Sequence, residues 1–292
     1  MTYSKLYTAM FVLISVVGCN SSNDIKEEPS VIEKVGFEAS CITIECEQNN
    51  KEVVSQIYNE VINNKNSQIT YSVFSENFMQ HRTGKSTEVS AQETYYNELL
   101  TTNPDHTAAV KHIVADGQYV AVHWHYSQNS ENEFSGQEIV DLYKLESGKV
   151  IEQWNKIETV SDSSASGNSV FSDLYVYQGD KPSISDSELE LNKTRVTEFY
   201  IELFSTGNVA LVDEQVDPSY LQHNIWVPNG SQALKDFVTY LKGENKLSDV
   251  TIERTLAEGD IVWTFMIKDN LSLVDLWRVE QSSQKIVEHW DI

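Results

Sequence analysis

One stretch of this chain occurs twice, so the fold must be built from a repeated unit. Glu138-Ile-Val-Asp-Leu-Tyr-Lys-Leu-Glu-Ser-Gly-Lys-Val-Ile-Glu-Gln-Trp-Asn155 returns as Ser272-Leu-Val-Asp-Leu-Trp-Arg-Val-Glu280, a polar turn, and Lys285-Ile-Val-Glu-His-Trp-Asp291. Both copies alternate apolar and polar residues on either side of a turn, which is the period of a β-hairpin. Asp141 and Asp275 sit in the middle of the first arms, and a Trp closes each second arm. The repeat reaches upstream. Residues 51–81 and 193–223 align without a gap, pairing Tyr58 with Tyr200, Phe78 with Tyr220, Gln80 with Gln222 and His81 with His223. At the same spacing Val114-Ala-Asp-Gly matches Leu256-Ala-Glu-Gly. Two copies of about 100 residues are too few for a solenoid and suit two independent domains.

Each copy reads as a helix, short connections to a Gln-His pair, a second helix, then three or four strands. Residues 52–62 carry apolar side chains three and four apart, the spacing of an amphipathic helix. Residues 90–100, 187–205 and 231–242 supply the other helices. Strands are expected at 111–114 and 119–126, and again at 250–256, 261–268, 271–279 and 285–291. The predicted division is a leader at 1–18, a polar tether at 19–49, a domain at 50–160, a linker at 161–187 and a second domain at 188–292.

The Gln-His pair, the Ala-(Asp/Glu)-Gly turn, Val-Asp-Leu followed by an aromatic residue, and Lys-Ile-Val-Glu-His-Trp-Asp together resemble the SnoaL-like branch of the nuclear-transport-factor-2 superfamily. The resemblance covers roughly residues 50–160 and 190–292, and the second hairpin matches best. It implies an α+β class with two tandem cone-shaped (cystatin-like) domains, each a curved, mostly antiparallel sheet wrapped over helices. It also implies a pocket that works without cofactor or metal, with an acidic residue as the acid/base group. By motif position those acids are Asp275 and Asp291. The fold hosts cyclases, isomerases, dehydratases and pure binding proteins, so function has to come from the site.

The N-terminus reads as an address. One basic residue, Lys5, precedes an apolar run ending in Val16-Val17-Gly18-Cys19. The run is too short to span a bilayer but suits a signal peptide. Its end resembles a lipobox, which makes Cys19 the expected lipidation site and the chain an exported, membrane-anchored lipoprotein. Asn20 fits the outer-membrane pattern if the source is Gram-negative. Cys41 and Cys46 are either a disulfide in an oxidising compartment or two free thiols. With 21 Lys and Arg against 44 Asp and Glu, nucleic acid and anionic headgroups are poor partners.

The candidate chemistry is carboxylate and imidazole. In the first copy, period-two geometry puts His123 and His125 on one strand face, so that with His81 and Asp141 they converge if that face is concave. They are acid/base or ligand-binding groups, a zinc set, or histidines satisfied by backbone. An aspartate such as Asp141 among apolar residues has a raised pKa if it lines a cavity. In the second copy His289 and Asp291 share a face, and His223 and Asp275 join them. Tyr143, Trp226, Trp277 and Asn155 complete the expected ligand-binding set. The copies are unequal: Gln153-Trp154-Asn155 stands where His289-Trp290-Asp291 does, and Phe265 and Ile267 stand where His123 and His125 do.

Three functions fit this pattern. A carboxylate in an apolar cone can take a proton alpha to a carbonyl, serving aldol-type cyclisation, isomerisation or dehydration. The same pocket can bind a small apolar molecule and transform nothing. The tandem can also act as an interaction platform, as a pseudo-dimer within one chain or a homodimer. Export weighs against a biosynthetic cyclase. No phosphate loop, nucleophile elbow or Cys-based zinc motif occurs.

Overall fold

A computed structural model describes residues 41, 43–82, 87–267 and 270–292. The leader, Cys19 and most of the expected tether lie outside the described residues. In chain order, α1 (Ile44–Gln56) runs into a π-helical turn (Ile57–Asn63). Then come α2 (Thr70–Val73), β1 (Phe74–Gln80), α3 (Val89–Thr102), β2 (Thr107–Asp116), β3 (Tyr119–Ser127), β4 (Gln137–Glu146) and β5 (Lys149–Thr159). The second half follows as α4 (Asp186–Thr206), α5 (Ala210–Gln215), β6 (Val216–Gln222), α6 (Ser231–Gly243), β7 (Arg254–Glu258), β8 (Ile261–Ile267), β9 (Leu271–Glu280) and β10 (Lys285–Asp291).

The two sheets have the same order, β1-β5-β4-β3-β2 and β6-β10-β9-β8-β7. In each, the first strand pairs in parallel with the last and every other pairing is antiparallel. This is the tandem of α+β domains that the repeat predicts, with the cone shape that the family resemblance implies. The strands β1 and β6 are additions: their burial pattern is too irregular to announce a strand, and pairing with β5 and β10 decides it.

Local chemistry sets the boundaries. Thr43 caps α1 by accepting from the Cys46 N–H at 3.1 Å, so this helix starts inside the stretch expected as tether. Cys41 and Cys46 are joined by a disulfide at this point. The α4 helix opens on a capping box of Ser185 and Glu188 and ends at Gly207, whose φ of 71° needs the left-handed conformation glycine allows.

Each sheet buries two faces. The concave faces pack on the helices, through Val54, Tyr58, Val61, Phe78, Val122 and Trp124 in one half. In the other half Val196, Phe199, Leu203, Val238 and Trp277 do the same. The convex faces pack on each other, through Ala121, Leu142 and Trp154 against Trp263, Phe265, Leu276 and Trp290. A row of polar ties runs both ways along this contact. The Ala115 N–H donates to Glu258 and the Ala257 N–H to Asp116, each at 3.1 Å. Lys193 pairs with Asp116 at 2.8 Å, and Lys51 with Glu258. Residues related by the repeat therefore exchange equivalent contacts, the pattern of a two-fold interface.

The segment joining the halves lies across both. Phe171 stacks on His125 with centroids 4.3 Å apart. Asp173 takes both arms of the buried Arg278 at 2.6 and 2.8 Å, and the Leu174 and Tyr175 N–H groups donate to Glu288. The linker expected at 161–187 thus grips both halves.

Candidate functional site

Strand parity decides which candidates meet. In the first half Asp141 points into the cone from the middle of β4, buried and accepting from three donors. The Trp124 indole N–H reaches Oδ2 at 2.8 Å, the Tyr58 hydroxyl reaches it at 3.0 Å, and the Gln153 amide reaches Oδ1 at 2.8 Å. Burial pushes the Asp141 carboxyl up from its ordinary value, and these three donors pull against that. Tyr143 shares the cluster, 3.1 Å from the Tyr58 hydroxyl. Asn155 lines the same cavity, which holds about 10 Å³ for the centre of a water-sized sphere. That is room for about one water.

His123 and His125 do not join Asp141. Their alternation with Trp124, which faces inward, puts both on the convex face, buried under Phe171. His123 contacts Glu138 through Nε2 at 2.9 Å and His112 through Nδ1 at 3.2 Å, and His125 donates to the Ser135 carbonyl at 2.7 Å. Burial drives His112 and His123 down to about 3, so both are neutral. The expected convergence with Asp141 is therefore corrected: these rings belong to the contact between the sheets.

His81 and His223 are corrected for the same reason. Each stacks on the Trp of the last strand, His81 on Trp154 at 4.2 Å and His223 on Trp290 at 4.7 Å. Each also pairs at 2.9 Å with the Glu two residues before that Trp, Glu152 or Glu288. The repeated Gln-His is thus a clamp on the outer face, and the glutamine is the member that turns inward.

In the second half three candidates do meet. Asp275, His289 and Asp291 offer ligand atoms within 4.8 Å of one another on the concave face, the one such group among the described residues. His289 Nε2 lies 2.9 Å from Oδ1 of Asp275, and its ring stacks on Trp277 at 3.6 Å. Oδ2 of Asp275 is buried with no hydrogen-bond partner. The Tyr200 hydroxyl lies near enough to the carboxyl to favour its ionised form. Asp291, half-buried at the rim, takes the Asn224 amide on both oxygens at 2.7 Å. Trp226 is half-buried on the loop after β6, its backbone N–H held by Asn224.

These surroundings separate the titrations. Burial pushes Asp275 up to about 8, against the pull of Tyr200 and Lys156. Burial also raises Asp291, to about 6, with His289 lowering it and Asp275 raising it further. Burial lowers His289 to about 4. At neutral pH the cluster holds a protonated Asp275, a neutral imidazole and a mostly ionised Asp291. Two acids whose surroundings push their pKa values apart are the usual mark of an acid and a base.

The family model for SnoaL-like polyketide cyclase matches residues 52–161. Residues 52–161 are a SnoaL-like domain. The second half repeats its strand order. Among solved structures the chain is similar to IdmH from Streptomyces antibioticus, with 16% identity over 37% of this chain and 91% of that one and a TM-score of 0.33. It is also similar to a SnoaL-like polyketide cyclase from Agrobacterium tumefaciens, at 11% identity, 37% and 91% coverage and a TM-score of 0.32. A nuclear-transport-factor-2-like protein of unknown function from Mesorhizobium loti gives 13%, 38%, 93% and 0.32. No curated protein matches the sequence.

Sequence reasoning missed the inward partners: Gln80 and Gln222, Tyr58 and Tyr200, Trp124 and Asn224. The signal was the repeat itself. Neighbours on a strand face opposite ways, so in each Gln-His pair only one member can enter the cone.

Proposed function

We propose that the second half carries the working site and that it enolises a small carbonyl compound. Asp275 donates the proton on Oδ2 to the carbonyl oxygen, and ionised Asp291 removes the proton alpha to it. The enol so formed serves cyclisation, isomerisation or dehydration. The observation that carries this reading is the buried Oδ2 of Asp275, left without a partner beside His289 and Asp291. Asp141, by contrast, has three donors and a cavity for about one water, so the SnoaL-like domain supports the second half and performs no chemistry.

The test is exchange of alpha protons for deuterium across a panel of small ketones and 1,3-dicarbonyl compounds, after thermal-shift screening for binders. Exchange that falls by roughly 10²–10⁴-fold in Asp275→Asn supports the reading. Binding without exchange would replace catalysis by capture of a small molecule. Loss of exchange in Asp141→Asn alone would move the site to the other half.

For location, the apolar run ending in Val16-Val17-Gly18-Cys19 supports an exported protein anchored through acylated Cys19, with residues 19–49 as spacer, 50–160 and 188–292 as the domains and 161–187 as the join. Cys19→Ser should abolish labelling by a fatty-acid analogue and release the protein from the membrane fraction. Labelling retained in that variant would remove the anchor from the proposal.

A further inference from the structure

An imidazole can carry its single proton on either ring nitrogen, and the partner of the other nitrogen decides which. For His289 that partner is Gln222. The Gln222 amide cannot turn over, because its Oε1 accepts two backbone N–H groups, from His223 at 2.8 Å and from Asn224 at 2.9 Å. Turning it would set an NH₂ against both donors in a buried site. Its Nε2 therefore faces the ring, 3.2 Å from His289 Nδ1, and also reaches the Tyr220 hydroxyl at 3.1 Å. A donor there requires Nδ1 to be bare.

The first half shows the same polarity with a group that cannot tautomerise. Gln80 accepts the Arg82 N–H on Oε1 at 3.0 Å and donates to Oε1 of Gln153 at 2.9 Å. Gln153 then donates to Asp141 at 2.8 Å. Gln153 and His289 occupy the same register opposite Gln80 and Gln222. The glutamine thus marks which end of this position must accept and which must donate.

We propose that Gln222 is a positioning residue that fixes His289 as the Nε2–H tautomer, so that the ring donates to Oδ1 of Asp275 and leaves Oδ2 as the oxygen facing the ligand. The inference rests on the reading of Asp275 as the acid. It also says how the cluster treats metals. A ligating imidazole presents one bare nitrogen to the ion and donates from the other to an acceptor. Gln222 puts a donor where that acceptor would have to be, so Asp275, His289 and Asp291 make a proton site and disfavour a divalent ion despite their spacing.

The test is long-range ¹H–¹⁵N correlation spectroscopy of the histidine rings in the parent protein, with His289 assigned by its loss in His289→Gln. The expected result is a protonated Nε2 and a bare Nδ1 from pH 5 to 8. A protonated Nδ1 would overturn the proposal. In Gln222→Glu the carboxylate accepts from Nδ1, and the His289 midpoint rises by about 1–3 pH units; an unchanged midpoint in the folded variant counts against it. If Gln222→Glu does not fold, the parent spectrum alone decides. Because the spectrum needs no turnover, its failure is distinct from failure of the catalytic reading. The expected spectrum in a protein that exchanges no alpha proton keeps Gln222 in place and removes the reaction.

Discussion

Among the inward positions that differ between the two cones, three change what surrounds the central aspartate. Tyr58 and Tyr200 are equivalent, as are Asp141 and Asp275. Trp124, which donates to Asp141, is matched at the spacing of the repeat by Met266, which has no hydrogen to give. Gln153 is matched by His289, and Asn155 by Asp291. The first swap frees Oδ2, the second puts a titratable ring beside the acid, and the third adds a second carboxyl. A shared backbone therefore says little about shared chemistry; the count of donors around one aspartate says more.

The comparison breaks most visibly at Trp124. If the first cone is a core, Trp124→Ala costs about 3–5 kcal/mol in urea unfolding. Met266→Ala, at a half-buried position, costs less than half of that. Equal losses would mean that both cones are packed alike. Next in size, Asp141→Asn sets an NH₂ against one of three donors and costs about 1–3 kcal/mol. Asp275→Asn, with a free oxygen to receive the NH₂, leaves stability at neutral pH unchanged or raised.

The dependence on pH sharpens the contrast further. Between about 4 and 8 the folded protein keeps the Asp275 proton that the unfolded chain has released, so the folded state binds more protons and stability falls as pH rises. Below about 6.5, His289 works the other way, because the unfolded chain binds a proton that the buried ring refuses; Asp291, raised to about 6, sides with Asp275 there. From pH 6.5 to 8 Asp275 acts alone among the three. Over that window the parent should lose about 1–2 kcal/mol more than Asp275→Asn does. A parent that holds constant would place the Asp275 proton elsewhere. The smallest effect lies at the contact between halves. Lys51→Ala removes one partly exposed pair, and Lys193→Ala removes its pair with Asp116 and a second with Glu190, at about 0–1 kcal/mol each. A clearly larger loss at Lys51 than at Lys193 would show that the polar ties are not equivalent.

Much of this was legible in the sequence because the repeat is long. The hairpins around Asp141 and Asp275 and the pairing of their closing arms follow from alternation, and so does the meeting of His289 with Asp275. The histidines were misplaced for a definite reason. Alternation says that His123 and His125 share a face, but not which face, and the answer depends on Trp124 filling the cone. His81 and His223 misled because a repeated histidine draws the eye to chemistry, whereas stacking on Trp154 and Trp290 gives it a packing role. Gln222 stands out in the repeat as the partner of Gln80, but neither composition nor period shows what it does. Its importance lies in the direction of a hydrogen bond, which appears only once the backbone N–H groups of His223 and Asn224 are placed.

The reciprocal ties between the halves bear on how such a chain can diverge. When two identical subunits meet across a two-fold axis, every substitution appears on both sides, and no pocket can be given up without losing its twin. Here Asp116 and Glu258 serve the same contact but are encoded separately, as are Lys51 and Lys193. One half can therefore close its aspartate in with an indole and an amide, while the other sets its buried acid beside an imidazole and a second carboxyl.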